Sequence, residues 1–260
     1  MKLHFFKYQA TGNDFILIDN RDGTISLSID QIRKLCDRKF GVGADGLMLI
    51  ENHPALSFNL VYYNSDGSQS LCGNGSRAAV LFASTLGMLL QNNADFHAYD
   101  GLHDASILPS GIVRLKMNDV SVVQKINDDY FLNTGSPHYI KFVDHVHNYF
   151  VVEEGRKIRF SDAFATQNGT NVNFVELLGS NEIFVRTYER GVENETLSCG
   201  TGVTAAALAA SQQGYHSPVQ VKTLGGDLSV EFIKSQTGST FTDIYLIGPA
   251  KMVFEGDLEL

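Results

Sequence analysis

One pattern occurs twice, and it constrains the chain more than any other feature. Cys72-Gly-Asn-Gly-Ser-Arg-Ala-Ala and Cys199-Gly-Thr-Gly-Val-Thr-Ala-Ala both read Cys-Gly-x-Gly-x-x-Ala-Ala. Each runs on into small apolar residues, Val80–Ser84 and Ala207–Ser211, and then reaches a glycine at Gly87 or Gly214. The cysteines stand 127 residues apart in a chain of 260. Solenoid repeats recur every ~20–50 residues, so this is a duplication on the scale of a domain. A helix that is apolar on nearly all sides must also be covered on nearly all sides.

What surrounds each helix reads as strand. Leu3–Tyr8, Phe15–Asp19, Leu47–Glu51, Ser57–Tyr63, Val113–Met117, Tyr139–Val143, Glu182–Tyr188, Val219–Thr223 and Ile244–Ile247 are short apolar segments bounded by Gly, Asn and Asp. A third helical pattern begins near Ser28 and stops before Gly41. The expected class is α+β: two pseudo-symmetric lobes, each a curled β-sheet or barrel around a central helix, with the active site at the lobe interface. The lobes are expected at 1–116, joined by about 251–260, and at 117–250, with the segment Ala250–Leu260 returning to the first lobe's sheet.

Composition narrows the function. The formal charge is −9 with no run of Lys or Arg, which leaves no basic face for nucleic acid or an anionic membrane. No apolar run nears the ~20 residues of a membrane-spanning helix. The N-terminal apolar stretch is broken by Lys7 and Gly12-Asn13-Asp14, unlike a secretory signal. Three cysteines are too few, and odd in number, for a disulfide framework. Reduced thiols and a cytoplasmic location are expected.

Chemistry enters where the cysteines meet the helices. A helix N-terminus offers unpaired backbone N–H groups and the positive end of the dipole. There a thiol ionises more readily, and a carboxylate can bind beside it. The glycines let the backbone come close to a ligand. Two such sites supply a base on one face of a carbon and an acid on the other, which is what inversion requires. One copy alone would read as a buried structural cysteine, the common fate of the residue; a matched pair favours chemistry.

Other motifs fall away. Cys36 lies on the apolar stripe of the helix after Ser28 and reads as core. Gly41-Val-Gly-Ala-Asp-Gly46 matches the dinucleotide pattern, but a helical pattern precedes it and a strand follows, the reverse of what that motif needs. His145-Val-His147 reads as a solvated strand and turn, and no metal signature survives. Asn168-Gly-Thr170 and Asn194-Glu-Thr196 match the glycosylation sequon, idle in a cytoplasmic chain. Arg77 reads as packed on its helix surface.

Ala10-Thr-Gly-Asn-Asp-Phe15, Gly41-Val-Gly-Ala-Asp-Gly-Leu47, Tyr63-Asn-Ser-Asp-Gly-Ser68 and Cys72-Gly-Asn-Gly-Ser-Arg77 resemble the diaminopimelate epimerase family. So do Thr134-Gly-Ser-Pro-His138, Asn171-Val-Asn-Phe174, Tyr188-Glu-Arg-Gly191 and Cys199-Gly-Thr-Gly202, in the family's order. The resemblance implies interconversion of LL- and meso-diaminopimelate for lysine and peptidoglycan synthesis, with no cofactor and no metal. It implies Cys72 and Cys199 as acid and base on opposite faces of the α-carbon. Gly73, Asn74, Gly200 and Thr201 would hold the reacting carboxylate, with Asn13 near the reacting centre. Asn64, Asn171 and Arg190 would grip the far end, where a carboxylate suits a guanidinium fork. Glu189 and His138 would hold ammonium nitrogen and tune the thiol pair. The implied partner is a small molecule, diaminopimelate, and the resemblance leaves room for a homodimer. Two positions depart from the pattern: Ser136 stands where many members have Asn, and Gly46 where some have Gln.

Two other readings stay open at this level. A racemase of another amino acid, histidine- or proline-type, would keep the thiols and change the far-end grip. A thiol redox protein would pair Cys72 with Cys199, although redox pairs are usually close in sequence, as in Cys-x-x-Cys.

Overall fold

The computed structural model describes residues 2–70, 72–236 and 238–259. In chain order the first elements are β1 (Lys2–Ala10), β2 (Asn13–Asp19), α1 (Ile29–Cys36), β3 (Gly46–Glu51), β4 (Phe58–Asn64) and α2 (Gly73–Thr85). β5 (Asn93–Ala98), β6 (Gly101–Ile107), β7 (Val113–Lys116), β8 (Val123–Ile126), β9 (Asp129–Asn133) and β10 (Pro137–Phe142) follow. Then come α3 (Val151–Arg159), β11 (Asn171–Gly179), β12 (Glu182–Glu189), β13 (Asn194–Thr196) and α4 (Gly200–Ala210). β14 (Val219–Thr223), β15 (Gly226–Lys234), β16 (Phe241–Gly248) and β17 (Lys251–Glu259) end the chain. It divides into two units, Met1–Leu115 with Gly248–Leu260, and Lys116–Ile247.

In the first unit β17 pairs antiparallel with β1, from Lys2↔Glu259 to Gln9↔Lys251. The ladder continues β1–β2–β3–β4–β5–β6–β7, parallel at β2–β3 and β4–β5. α2 packs against β1, β2, β3, β4 and β6. Strands lie about 4.8 Å apart and a helix is about 10 Å wide. A flat sheet could not bring so many strands onto one helix, so the sheet curls around it. Ala78, Ala79, Val80, Phe82 and Ala83 are fully buried.

The second unit repeats the arrangement. β8, β9, β10, β11 and β12 pair in succession, and β12 continues through β14 and β15 to β16. α4 packs against β9, β10, β11, β12, β14 and β15, with Val203 to Ala210 wholly buried. Alanines at the contact let helix and sheet approach closely. The α+β class with a helix held inside each curled sheet is thus present in both units.

α1 starts on a capping box: Ser28 Oγ accepts from Gln31 N–H at 3.3 Å, and Gln31 Oε1 accepts from Ser28 N–H at 2.9 Å. Its buried stripe, Ile32, Leu35 and Cys36, joins a core with Leu3, Phe5, Ile16 and Leu47. Two local expectations need correction. His145-Val-His147, read as strand and turn, instead enters a turn of 3-10 helix at Val146–Asn148, with His145 as its N-cap. Arg77 is not on a helix surface but is wholly buried, with its guanidinium donating to Thr11 in the β1–β2 turn. No described helix is long and apolar enough to cross a membrane.

Candidate active site

Each unit holds a cysteine at the N-cap of a buried helix. Cys72 precedes α2 in extended backbone, φ −131° and ψ 110°, and Gly75 N–H donates to its sulfur at 3.4 Å. The helix's first turn therefore faces the thiol, the arrangement that favours a thiolate. The Cys72 thiol donates to Asn13 Oδ1 at 3.5 Å, and Asn74 Nδ2 donates to the same oxygen at 3.4 Å. Asn13 is held in turn by Asp45, whose Oδ2 accepts from Asn13 Nδ2 at 2.6 Å.

Asp45 belongs to an ion cluster that locks this corner. Arg38 bridges Asp14 at 2.7 Å and Asp45 at 2.6 Å, and Lys7 reaches Asp14 at 2.7 Å. Burial raises the Asp14 pKa, but hydrogen bonds from Arg38 and Lys7 outweigh it and hold the carboxyl well below its usual range. Nothing local in the chain links Asp45 to Asn13, because the two meet only through the parallel pairing of β2 with β3.

Arg77 adds a buried cation to this half-site. Its Nη2 donates to Thr11 Oγ1 at 3.1 Å and to Asn74 Oδ1 at 3.0 Å. Nε and Nη1 have no hydrogen-bond partner among the described residues. Burial lowers its pKa to about 10, and the Cys72 charge acts in the opposite direction. The guanidinium thus orients Asn74 and sets positive charge behind the Cys72 sulfur. Asn64 ends β4, where its side-chain amide is tied to Ser68 Oγ at 3.0 Å and Ser70 Oγ at 3.2 Å.

The second half-site has a different interior. Cys199 precedes α4 at φ −117° and ψ 112°, and its sulfur lies 3.5 Å from Thr201 Oγ1. His138 Nε2 lies 2.9 Å from that hydroxyl, while His138 Nδ1 is 3.0 Å from Asn173 Nδ2. Thr187 donates to Asn173 Oδ1 at 2.9 Å, which fixes the amide with its nitrogen toward the ring. Nδ1 is therefore the acceptor and Nε2 carries the proton. Nε2–H donates to Thr201 Oγ1, which leaves the Thr201 hydrogen able to turn to the Cys199 sulfur when that sulfur is a thiolate.

His138 is fully buried. Burial first, and then the nearby Arg190 charge, lowers its pKa to about 3. The ring is neutral at ordinary pH, with both nitrogens used inside the protein. The parallel register of β10 and β11 sets His138 opposite Asn171 and Ile140 opposite Asn173. Gly202 is required here: a β-carbon on it would stand 2.3 Å from Asn173 Oδ1 and 3.3 Å from His138 Cε1.

Behind this relay Ser136, Asn171 and Arg190 form one cluster. Asn171 Nδ2 donates to Ser136 Oγ and to the Pro137 carbonyl, both at 2.9 Å, and its Oδ1 accepts from Arg190 N–H at 2.9 Å. Arg190 Nη2 donates to Ser136 Oγ at 3.4 Å. Glu189 Oε2 accepts from Thr196 at 2.8 Å. Asn173 and Thr187 had no sequence signal, since each acts only through a neighbour on an adjacent strand.

Cys36 stands apart. It is 4% exposed, and burial pushes its thiol up to about 11, so it stays protonated in the core.

The chain matches the model of the family described as Diaminopimelate epimerase over residues 5–123 and 130–253. It is 50% identical to diaminopimelate epimerase of Flavobacterium psychrophilum, with 98% of this chain and 99% of that protein covered. It is 39% identical to diaminopimelate epimerase of Chlorobaculum tepidum, over 96% and 99% of the two chains. Among solved structures it resembles a Bacillus anthracis phenazine biosynthesis protein of the PhzF family, with a TM-score of 0.76, 13% identity and 100% of both chains covered. A probable proline racemase from Agrobacterium radiobacter gives a TM-score of 0.69 at 13% identity, with 99% and 93% covered. At such identities the structural likeness speaks for the fold alone. The two cysteine-capped helices, the family match along nearly the whole chain and the full-length relatives agree: the chain belongs to the diaminopimelate epimerase family.

Proposed function

We propose that the protein interconverts LL- and meso-diaminopimelate, with Cys72 and Cys199 as its acid–base pair. The observation that carries this reading is the matched pair of reduced cysteines, each at the N-cap of a buried helix, one in each unit. In this reading one sulfur, as thiolate, takes the α-proton. The C–H electron pair stays on carbon and delocalises into the α-carboxylate, which the N–H groups of Gly73, Asn74, Gly200 and Thr201 hold. The opposite thiol then gives its proton to the other face. Thiolate and thiol have exchanged places, protons balance, and the step calls for no cofactor.

The surrounding residues take graded roles. Asn13 and Asn74 hold the Cys72 side. His138 acts on Cys199 through Thr201 rather than by touching substrate, since both its nitrogens are spent. Arg190 receives the distal carboxylate, Asn171 fixes the Arg190 backbone, and Asn64 and Glu189 complete the contacts. A cytoplasmic location fits thiols that work only when reduced. The test is incubation of LL-diaminopimelate with reduced protein followed by chiral separation. Meso product is expected; its absence with both thiols intact removes this substrate assignment.

A further inference from the structure

Tyr62 sits where a second polar group can act on Cys72. β4 alternates, so Leu60, Tyr62 and Asn64 project from one face, the face toward α2. Tyr62 is only 6% exposed and meets the Phe15 ring edge-on at 6.2 Å. A β-carbon on Gly46 would stand 2.5 Å from Tyr62 Cε2, 2.7 Å from its hydroxyl and 2.8 Å from the Tyr63 carbonyl. Position 46, where some family members carry Gln, is therefore limited to glycine here, because the Tyr62 phenol takes the space. From the other side, a β-carbon on Gly75 would touch Phe15 at 3.5 Å and Cys72 Cβ at 3.4 Å, so Phe15 packs both the tyrosine and the cysteine's turn.

We infer that Tyr62 is a positioning residue for Cys72: its phenol donates a hydrogen bond to the sulfur and favours the thiolate. This rests on the reading of Cys72 as one of the acid–base pair. Burial first, then the charge of Cys72, keeps the phenol protonated far above its ordinary range, and a hydrogen bond to Cys72 is among the causes. A phenol that cannot ionise is a permanent donor, able to face a thiolate without competing with it for charge. The other titratable groups around this pair are Arg77 on α2, Asp45 ahead of β3, and Cys36 at the end of α1. Arg77 supplies charge; Tyr62 supplies direction. The second half-site uses the Thr201 hydroxyl, itself backed by His138, for the same purpose. The two halves thus place a hydroxyl at each sulfur from unrelated positions: a strand tyrosine in one, a helix threonine in the other.

The experiment is alkylation by iodoacetamide of the full-length reduced protein, from about pH 6 to about pH 10, with each cysteine followed by peptide mass spectrometry. Tyr62→Phe keeps the ring and removes the donor. It should raise the midpoint at Cys72 by about one pH unit, the scale of a hydrogen bond to a charged group, and leave Cys199 unchanged. Gly46→Ala, which crowds the hydroxyl without deleting it, should move Cys72 in the same direction. A Cys72 midpoint unmoved in both variants overturns the proposal, as does an equal shift at both cysteines. The readout needs no turnover. A protein that fails to epimerise would fail the assignment above while this result still reads independently.

Discussion

His138 and Thr201 are joined by a 2.9 Å hydrogen bond whose direction is set from behind, by the Asn173 amide on the opposite ring nitrogen. This leaves the Thr201 hydroxyl able to donate to a Cys199 thiolate. Thr201→Val preserves the shape and deletes that donor. kcat/KM should fall about tenfold, the scale of one hydrogen bond to a charged group. Thr201→Ser should recover most of it. Steady-state kinetics of the two variants decides whether the relay matters.

The same histidine makes stability depend on acid. Its pKa is near 6.5 when unfolded and about 3 in the fold. Between those values the unfolded chain binds more protons, so folding stability is fully present above about pH 6.5 and is lost as pH falls toward about 3. The loss approaches about 1.4 kcal/mol per pH unit from this one group. Thermal melts across that range should show a steeper fall for the parent chain than for His138→Gln. Equal slopes would mean that His138 is not held neutral by burial.

Gly202→Ala tests the packing of α4 directly. The added carbon cannot coexist with Asn173 Oδ1 at 2.3 Å. Either Asn173 leaves the His138 ring or the helix shifts, at a cost of about 1–3 kcal/mol. A lowered melting temperature together with reduced turnover is expected. An unchanged melting temperature would contradict the contact.

The strands and both cysteine-capped helices are legible because each declares itself locally. The segments from Leu3–Tyr8 to Ile244–Ile247 each fall within or overlap an observed strand, whereas His145–His147 does not, and α2 and α4 begin at the residues after Cys72 and Cys199. The remaining elements lack a local signal. α3 is short, charged and interrupted by Gly155, and is held by β11 and β12 rather than by its own pattern. The β5–β6 hairpin carries His97, His103 and Asp104 among its apolar positions and does not read as strand. The site divides the same way. Cys72 and Cys199 were visible from their turns, whereas Asp45, Tyr62, Asn173 and Thr187 matter only through the strands that bring them to a neighbour. Arg77 reads as a surface residue because a buried charge is uncommon, and its burial has no local signal.

Arg190 tests the choice of substrate. Arg190→Leu removes the cation next to Ser136 and Asn171. KM for diaminopimelate should rise tenfold or more, with kcat changed less, as expected when a contact to a distal carboxylate is lost. An unchanged KM would shift the reading toward a racemase of a monocarboxylic amino acid.

Cys36 serves as an internal control. Its thiol, raised to about 11 and buried, should resist alkylation at pH values where Cys72 reacts, and Cys36→Ala should keep near-parental turnover. Cys72→Ala and Cys199→Ala should each abolish inversion. Full turnover in either would remove that sulfur from the chemistry.

The most direct measurement is proton NMR of LL-diaminopimelate in D₂O with the reduced protein. The α-proton signal should disappear as solvent deuterium enters and the meso isomer forms, without added cofactor. An α-proton that persists while both Cys72 and Cys199 titrate as free thiols would contradict the proposed epimerisation.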